Sequence, residues 1–282
     1  MRKKTLLSVL LMCLLAQGRE GSSAPHVVPA KVGLVMIGAA QDGFALAADG
    51  SSLNADGRVS QEQKLFQVGK LGALALTGTV SIQDPIGKRE RGEVNIARIA
   101  GAWLAAHSDV DLQTVNRDLN AAIAAELNKF LSTRDPGAER GAFKFGVIIA
   151  GFSDGKPMLM TTRYFMPALK GKPARAQQAS TALQAGNLWT FGSSAVPAEI
   201  YAGKTNALKT FKDEPSVKKF RSAQKSSLTA QDYINLFDTT LRAAESEEGK
   251  KMDGKRAIVA PPNRFATITL KGGFAWSKSE AH

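Results

Sequence analysis

Cysteine is nearly absent from this 282-residue sequence: the one present is Cys13. No second cysteine is available for an internal disulfide or a thiolate metal site. Histidine is almost as scarce, with His26 ahead of the first apolar strand, His107 at a predicted helix end and His282 as the last residue. Neither a Ser-His-Asp triad nor a histidine metal cluster can be assembled from these, so no metal and no cofactor are expected. Gly-x-Ser-x-Gly, the Walker A pattern and Gly-x-Gly-x-x-Gly are all missing, which removes the serine-hydrolase elbow, the phosphate loop and the dinucleotide fingerprint. No apolar run reaches the roughly 20 residues needed to span a bilayer. Aromatic residues make up only 7% of the chain and are sparse in its basic clusters. Despite a formal charge of +12, nucleic acid is therefore not an expected partner.

What is present begins with an export pattern. Met1-Arg2-Lys3-Lys4 supplies positive charge, Leu6 to Ala16 a short apolar segment, and Gly18 to Ala24 small residues suited to cleavage. Residues 1–24 are expected to be a signal peptide and leader, and the mature protein to be periplasmic or extracellular. Met12 before Cys13 is a poor fit to a lipid-attachment site, so a lipoprotein is not expected. Basic residues cluster at Lys88–Arg91, Lys170–Arg175, Lys204–Lys225 and Lys250–Arg256. They read first as solvated surface; an anionic envelope surface, a peptide or protein ligand and a second copy of the chain are the partners left open.

Residues 30–277 read as one domain, with no repeat or linker to divide them. Val32–Ala40, Phe44–Ala48, Lys64–Val68 and Gly72–Thr79 are short apolar runs bounded by turn residues, hence strands. Gln41-Asp42-Gly43 and Gly69-Lys70 are too short for crossover helices, so the strands must be antiparallel. Gly33–Gly38 and Phe44–Ala48 hardly alternate between apolar and polar, which implies burial on both faces. The expected fold class is α+β, a four-layer α-β-β-α sandwich of two antiparallel sheets. A helix is expected near Val94, with Ile96, Ile99, Ala100, Trp103 and Leu104 on one face and Trp103 against a sheet. A second runs from Asp111 to the break at Asp135-Pro136-Gly137. Phe143–Gly151 and Pro157–Phe165 flank Ser153-Asp154-Gly155-Lys156 as a hairpin. Met166–Ala185 reads as an excursion, Asn187–Phe191 as a strand followed by a short helix through Tyr201, and Lys204–Lys225 as a charged connection. Thr229 and Asp232 resemble a capping box for a last long helix carrying Tyr233, Phe237, Leu241 and Ala244. Glu245–Lys255 reads as a charged loop, and Arg264–Leu270 with Gly273–Trp276 as a closing hairpin.

The succession from Val32 to Val80, with Asp42-Gly43, Leu46-Ala47-Ala48-Asp49, Lys64-Leu65-Phe66, Gly69-Lys70 and Thr77-Gly78, resembles the amino-terminal half of a proteasome β-type subunit. The likeness extends more weakly to Trp276. It implies the sandwich fold of the N-terminal-nucleophile hydrolases. In that family a terminal Thr attacks an amide carbonyl while its own amine, with a nearby Lys and Asp, handles the proton. Asp49 and Lys64 match the supporting acid and lysine, and Ser193 matches a serine near the active site. Ser193 also stands where a helix N-cap belongs. Asp253 is the nearest candidate for the family's further acid.

The nucleophile itself is missing. Family spacing places Gly33 there, and no Ser, Thr or Cys lies between Pro25 and Gln41. Ser22 and Ser23 are the nearest upstream hydroxyls. Asp49 and Lys64 are open to a structural reading, as an ion pair, as well as a catalytic one. Two functions follow from the resemblance. One is an exported non-catalytic binding or assembly module; the other is an exported proteasome-type peptidase or amidase using an unusual terminal residue such as Ser22 or Ser23.

Overall fold

The computed structural model describes residues 33–53, 59–83, 93–132, 140–193, 195–202, 206–252 and 259–278. Residues 1–24, with Cys13, Ser22 and Ser23, lie outside these, as does Asp253.

Two five-stranded antiparallel sheets form the centre. The first has the order β12 (Leu188–Gly192), β1 (Leu34–Ala39), β2 (Phe44–Ala48), β13 (Arg264–Thr269) and β14 (Gly273–Ser277). The second runs β11 (Arg175–Ala182), β10 (Lys156–Phe165), β9 (Phe143–Ser153), β6 (Gly72–Gly78) and β5 (Leu65–Val68). Two small ribbons complete the strands, β3 (Ser51–Leu53) with β4 (Val59–Gln61) and β7 (Ser81–Gln83) with β8 (Glu93–Asn95).

The missing alternation in β1 has a direct cause. Val35, Ile37 and Ala39, with Phe44 and Leu46 of β2, face the second sheet and share a core with its Leu65 and Ile148. Leu34 and Met36 face the other way, into a core shared with Tyr233, Phe237 and Leu241. Both faces of the strand are dry, so both carry apolar residues. Helices cover the outer faces of the two sheets. Over the second lie α1 (Ile96–Ala106) and α2, a run made of Leu112–Thr114, a π-helical turn Val115–Leu119 and Asn120–Leu131. Over the first lie α3 (Ala195–Ala202), α4 (Lys209–Lys212), α5 (Pro215–Ser222), α6 (Ala230–Glu245) and α7 (Glu247–Met252). The result is a two-sheet, helix-flanked α+β architecture.

The capping box is present: the Asp232 N–H donates to Thr229 Oγ1 at 3.2 Å and the Thr229 N–H to Asp232 Oδ2 at 3.0 Å. Helix α6 buries Tyr233, Phe237, Leu241 and Ala244 as its spacing requires. Its close approach to the sheet depends on Gly38, because a Cβ there would overlap the Tyr233 ring.

Several segments differ from the sequence reading. Within Met166–Ala185, Arg175–Ala182 is a strand; its side chains are all exposed, so no apolar pattern marks it. Within Lys204–Lys225 lie α4 and α5; α5 buries Val217 and Phe220 in the core it shares with α6, too short an apolar stripe to mark a helix, and cations of the segment find partners. Lys219 pairs with Asp232 at 2.6 Å, Lys212 with Glu199 at 2.6 Å, and Lys225 donates to the Phe220 carbonyl. Part of the Glu245–Lys255 segment is helix α7. Trp103 packs on its core only partly buried, with its ring stacked 4.1 Å from His107.

These placements set different stakes for two aromatic side chains. Phe237, 0% exposed, loses transfer energy and leaves a cavity on truncation. Phe237→Ala is expected to cost about 3–5 kcal/mol, and Trp103→Ala clearly less, in urea denaturation of the purified protein. Equal losses would show that α1 is seated more deeply than described.

Candidate functional site

Of the residues singled out in the sequence, Gly33, Asp49, Lys64 and Ser193 meet at one end of the sandwich. Strand β2 ends at Ala48 and leads directly into Asp49, while Lys64 immediately precedes β5. One belongs to the first sheet's side and the other to the second's, so their contact ties the two sheets together. Lys64 Nζ lies 3.2 Å from both Asp49 oxygens. Each residue is 1% exposed.

Asp49 is over-determined by its other donors. The Leu34 N–H donates to Oδ1 at 2.8 Å, and Ser51 donates to Oδ2 from its hydroxyl at 2.7 Å and from its N–H at 3.3 Å. The Asp49 N–H in turn donates to the Leu34 carbonyl at 3.1 Å. Buried ions are tolerated only when paired and hydrogen-bonded in this manner. Ser51 was not singled out from the sequence. Its position two residues after an aspartate, in Asp49-Gly50-Ser51, is the local signal that could have found it, since such hydroxyls commonly bond a neighbouring carboxylate or backbone group.

Gly33 sits directly against this pair. A Cβ built on it would overlap both Lys64 Nζ and Asp49 Oδ1. The space that a side chain at this position would enter is filled by the ammonium and the carboxylate. Ser193 completes the group through its backbone: its N–H donates to the Gly33 carbonyl at 3.3 Å, extending the β12–β1 pairing by one step beyond Leu34↔Gly192. It is buried. Helix α3 starts at Ala195, so Ser193 stands one place further out than an N-cap, held by the strand instead.

Two more carboxyls border the site. Glu62, whose N–H donates to the Gly50 carbonyl at 2.8 Å, has its pKa raised by burial, with the Glu93 charge adding to the effect and the Asn95 amide opposing it. Glu245 is likewise raised, by burial first, then by the Asp238 and Asp49 charges, against a hydrogen bond from Asn263. Among the described residues no group of His, Cys, Asp and Glu is arranged to hold a metal ion. The arrangement can anchor strand ends and fix two sheets in register; Gly33 itself carries no side chain. An open cleft of about 310 Å³ lies at the opposite end of β1, bordered by Ala39, Phe44, Phe152, Pro157 and Leu183.

No family model and no curated protein matches the sequence.

The raised carboxyls make a pH prediction with a definite sign. A carboxyl that binds its proton more tightly folded than unfolded takes up protons on folding, so stability rises as pH falls from neutral through its folded pKa and levels off below its unfolded pKa. Glu62→Gln and Glu245→Gln are therefore expected to raise the thermal midpoint at neutral pH, with the gain vanishing in acid below the ordinary carboxylate range. A lower midpoint at neutral pH in both variants would contradict the assignment.

Proposed function

We propose that this chain is a proteasome-β-like member of the N-terminal-nucleophile hydrolases that does not catalyse, serving outside the cytoplasm as a binding or assembly module. Three features support the family reading: the two helix-flanked antiparallel sheets, the order of motifs from Val32 to Val80, and the meeting of Asp49 with Lys64 at the head of β1. The single observation that carries the non-catalytic reading is Gly33. In an N-terminal nucleophile the attacking hydroxyl and the amine that manages its proton belong to one residue, so an internal Ser or Thr elsewhere cannot substitute. At this head of β1 there is no Cβ, and the space it would use is taken by Lys64 and Asp49. The pair then has a structural task, closing the sandwich end.

The competing reading, an exported peptidase or amidase, draws on the same Asp49 and Lys64 and needs a hydroxyl delivered from Ser22 or Ser23. The two are separated by activity-based labelling of the protein purified from the cell envelope. The expected outcome is no covalent adduct with electrophiles directed at terminal threonine, and no release from peptide amides. A stoichiometric adduct on Ser22 or Ser23 as the first residue, abolished by Lys64→Ala, would establish the peptidase instead.

A further inference from the structure

The second sheet ends in an edge unlike the other three. β5, β12 and β14, the remaining edge strands, have four or five residues, whereas β11 has eight. All eight side chains of β11 are exposed. Arg175 is the one charge in it, and Ala176 to Ala182 contain neither proline nor glycine. Edge strands are ordinarily protected by charge, proline, a bulge or shortness, because their unpaired N–H and C=O groups template further pairing. Along the β11 core none of these protections is present.

The direction of each backbone group follows from the pairing with β10. The Leu183 N–H donates to the Pro157 carbonyl at 3.0 Å, one step beyond the Met158↔Ala182 pair. Hydrogen-bonded and non-bonded pairs alternate along an antiparallel ladder, so odd-numbered residues of β11 bond to β10. Ala176, Gln178, Ser180 and Ala182 therefore turn their N–H and C=O groups outward. Among the described residues, none of these outward groups has a partner in the chain.

We propose that β11 pairs antiparallel with β11 of a second copy, about a two-fold axis through Ala179, so that the two second sheets become continuous. This proposal stands independently of whether the chain catalyses. The occupant is a second copy because the strand is complementary to itself. One register alone opposes all four outward residues of each copy: Ala176 with Ala182 and Gln178 with Ser180. In it Gln177 faces Thr181, and Ala179 faces Ala179 of the other copy. Every opposed pair is small or able to hydrogen-bond, and no like charges meet, which is the requirement for cross-strand pairs and for an isologous contact. The two Arg175 guanidinium groups fall at opposite ends of the joint. A chain with a formal charge of +12 resists self-association over most of its surface, and this strand is where the repulsion is least.

The register makes the test specific, since Cys13 is the sole cysteine. In a Cys13→Ser background, Ala179→Cys places two thiols in a non-bonded pair with Cα atoms about 4.5 Å apart, within the roughly 4.4–6.8 Å that a disulfide spans. Gln177→Cys, in contrast, puts its two thiols four residues out of step, about 13 Å along the strand. The expected result under mild oxidation is a covalent dimer for Ala179→Cys and little for Gln177→Cys, with the unmodified protein sedimenting at twice its chain mass. Gln178→Pro removes an outward donor while sparing the β10 ladder, and is expected to halve the sedimenting mass while a single cooperative thermal transition is kept, its midpoint lowered only by the loss of association. A monomeric mass at every concentration, or equal cross-linking of the two cysteine variants, overturns the proposal; a peptide or another segment of the chain on the edge would give one of these. Should Gln178→Pro fail to fold, the cysteine comparison decides.

Discussion

A carboxylate and an ammonium sealed from water, Asp49 with Lys64, fix one end of this molecule. Taking two charges out of water costs several kcal/mol per ion, and their attraction offsets that only when the remaining hydrogen-bonding capacity is also used. Here the carboxylate receives the Leu34 N–H and both donors of Ser51 in addition to the ammonium. Removing one partner of such a pair typically costs about 3–5 kcal/mol, because the other is left charged and buried. The pair is therefore a constraint that neighbouring segments must respect: β1 must start beside it, β2 must end at it and β5 must begin from it.

Gly33 belongs to that constraint. A residue with a side chain would press on two groups held in place by several bonds, one of them a short and inflexible aspartate. The absence of a Cβ allows the backbone of β1 to lie against the ion pair while Ser193 continues the ladder on its other side. The same group of residues that suggests hydrolysis in the family it resembles is, in this geometry, self-satisfied. Our reading of the chain as a module that binds or assembles rests on that closure, and the long unguarded edge of β11 supplies a surface through which it can assemble.

The central sheets were legible because burial on both faces leaves a strong mark. Val35 and Ile37 against one layer and Leu34 and Met36 against the other produce an unbroken apolar run bounded by tight turns, and few folds accommodate hairpins so covered. The α6 cap was equally readable from Thr229 and Asp232, a local arrangement that tertiary context did not disturb. What escaped the sequence reading had little apolar periodicity. Strand β11 has no buried face, and its structure comes from backbone pairing with β10 alone. Helix α5 is seated by only two buried residues, Val217 and Phe220, and the pairs Lys212 with Glu199 and Lys219 with Asp232 join residues 13 apart in sequence, which no local pattern announces. At the site, Asp49, Lys64 and Gly33 were singled out by the resemblance to proteasome β-type subunits. The role of Ser51 and the strand-borne setting of Ser193 needed the three-dimensional arrangement.

Whether the space beside Gly33 is occupied separates a closed strand end from an open site. Gly33→Ala adds one methyl group there and nothing else. Overpacking a filled site costs about 1–3 kcal/mol, and equilibrium denaturation of the variant beside the unmodified protein reads that difference directly. A filled space gives a loss in this range, shrinking when Lys64 is shortened to Ala in both members of the comparison. A Gly33→Ala protein as stable as its parent would mean that the site is open, with room for the side chain that a nucleophile requires.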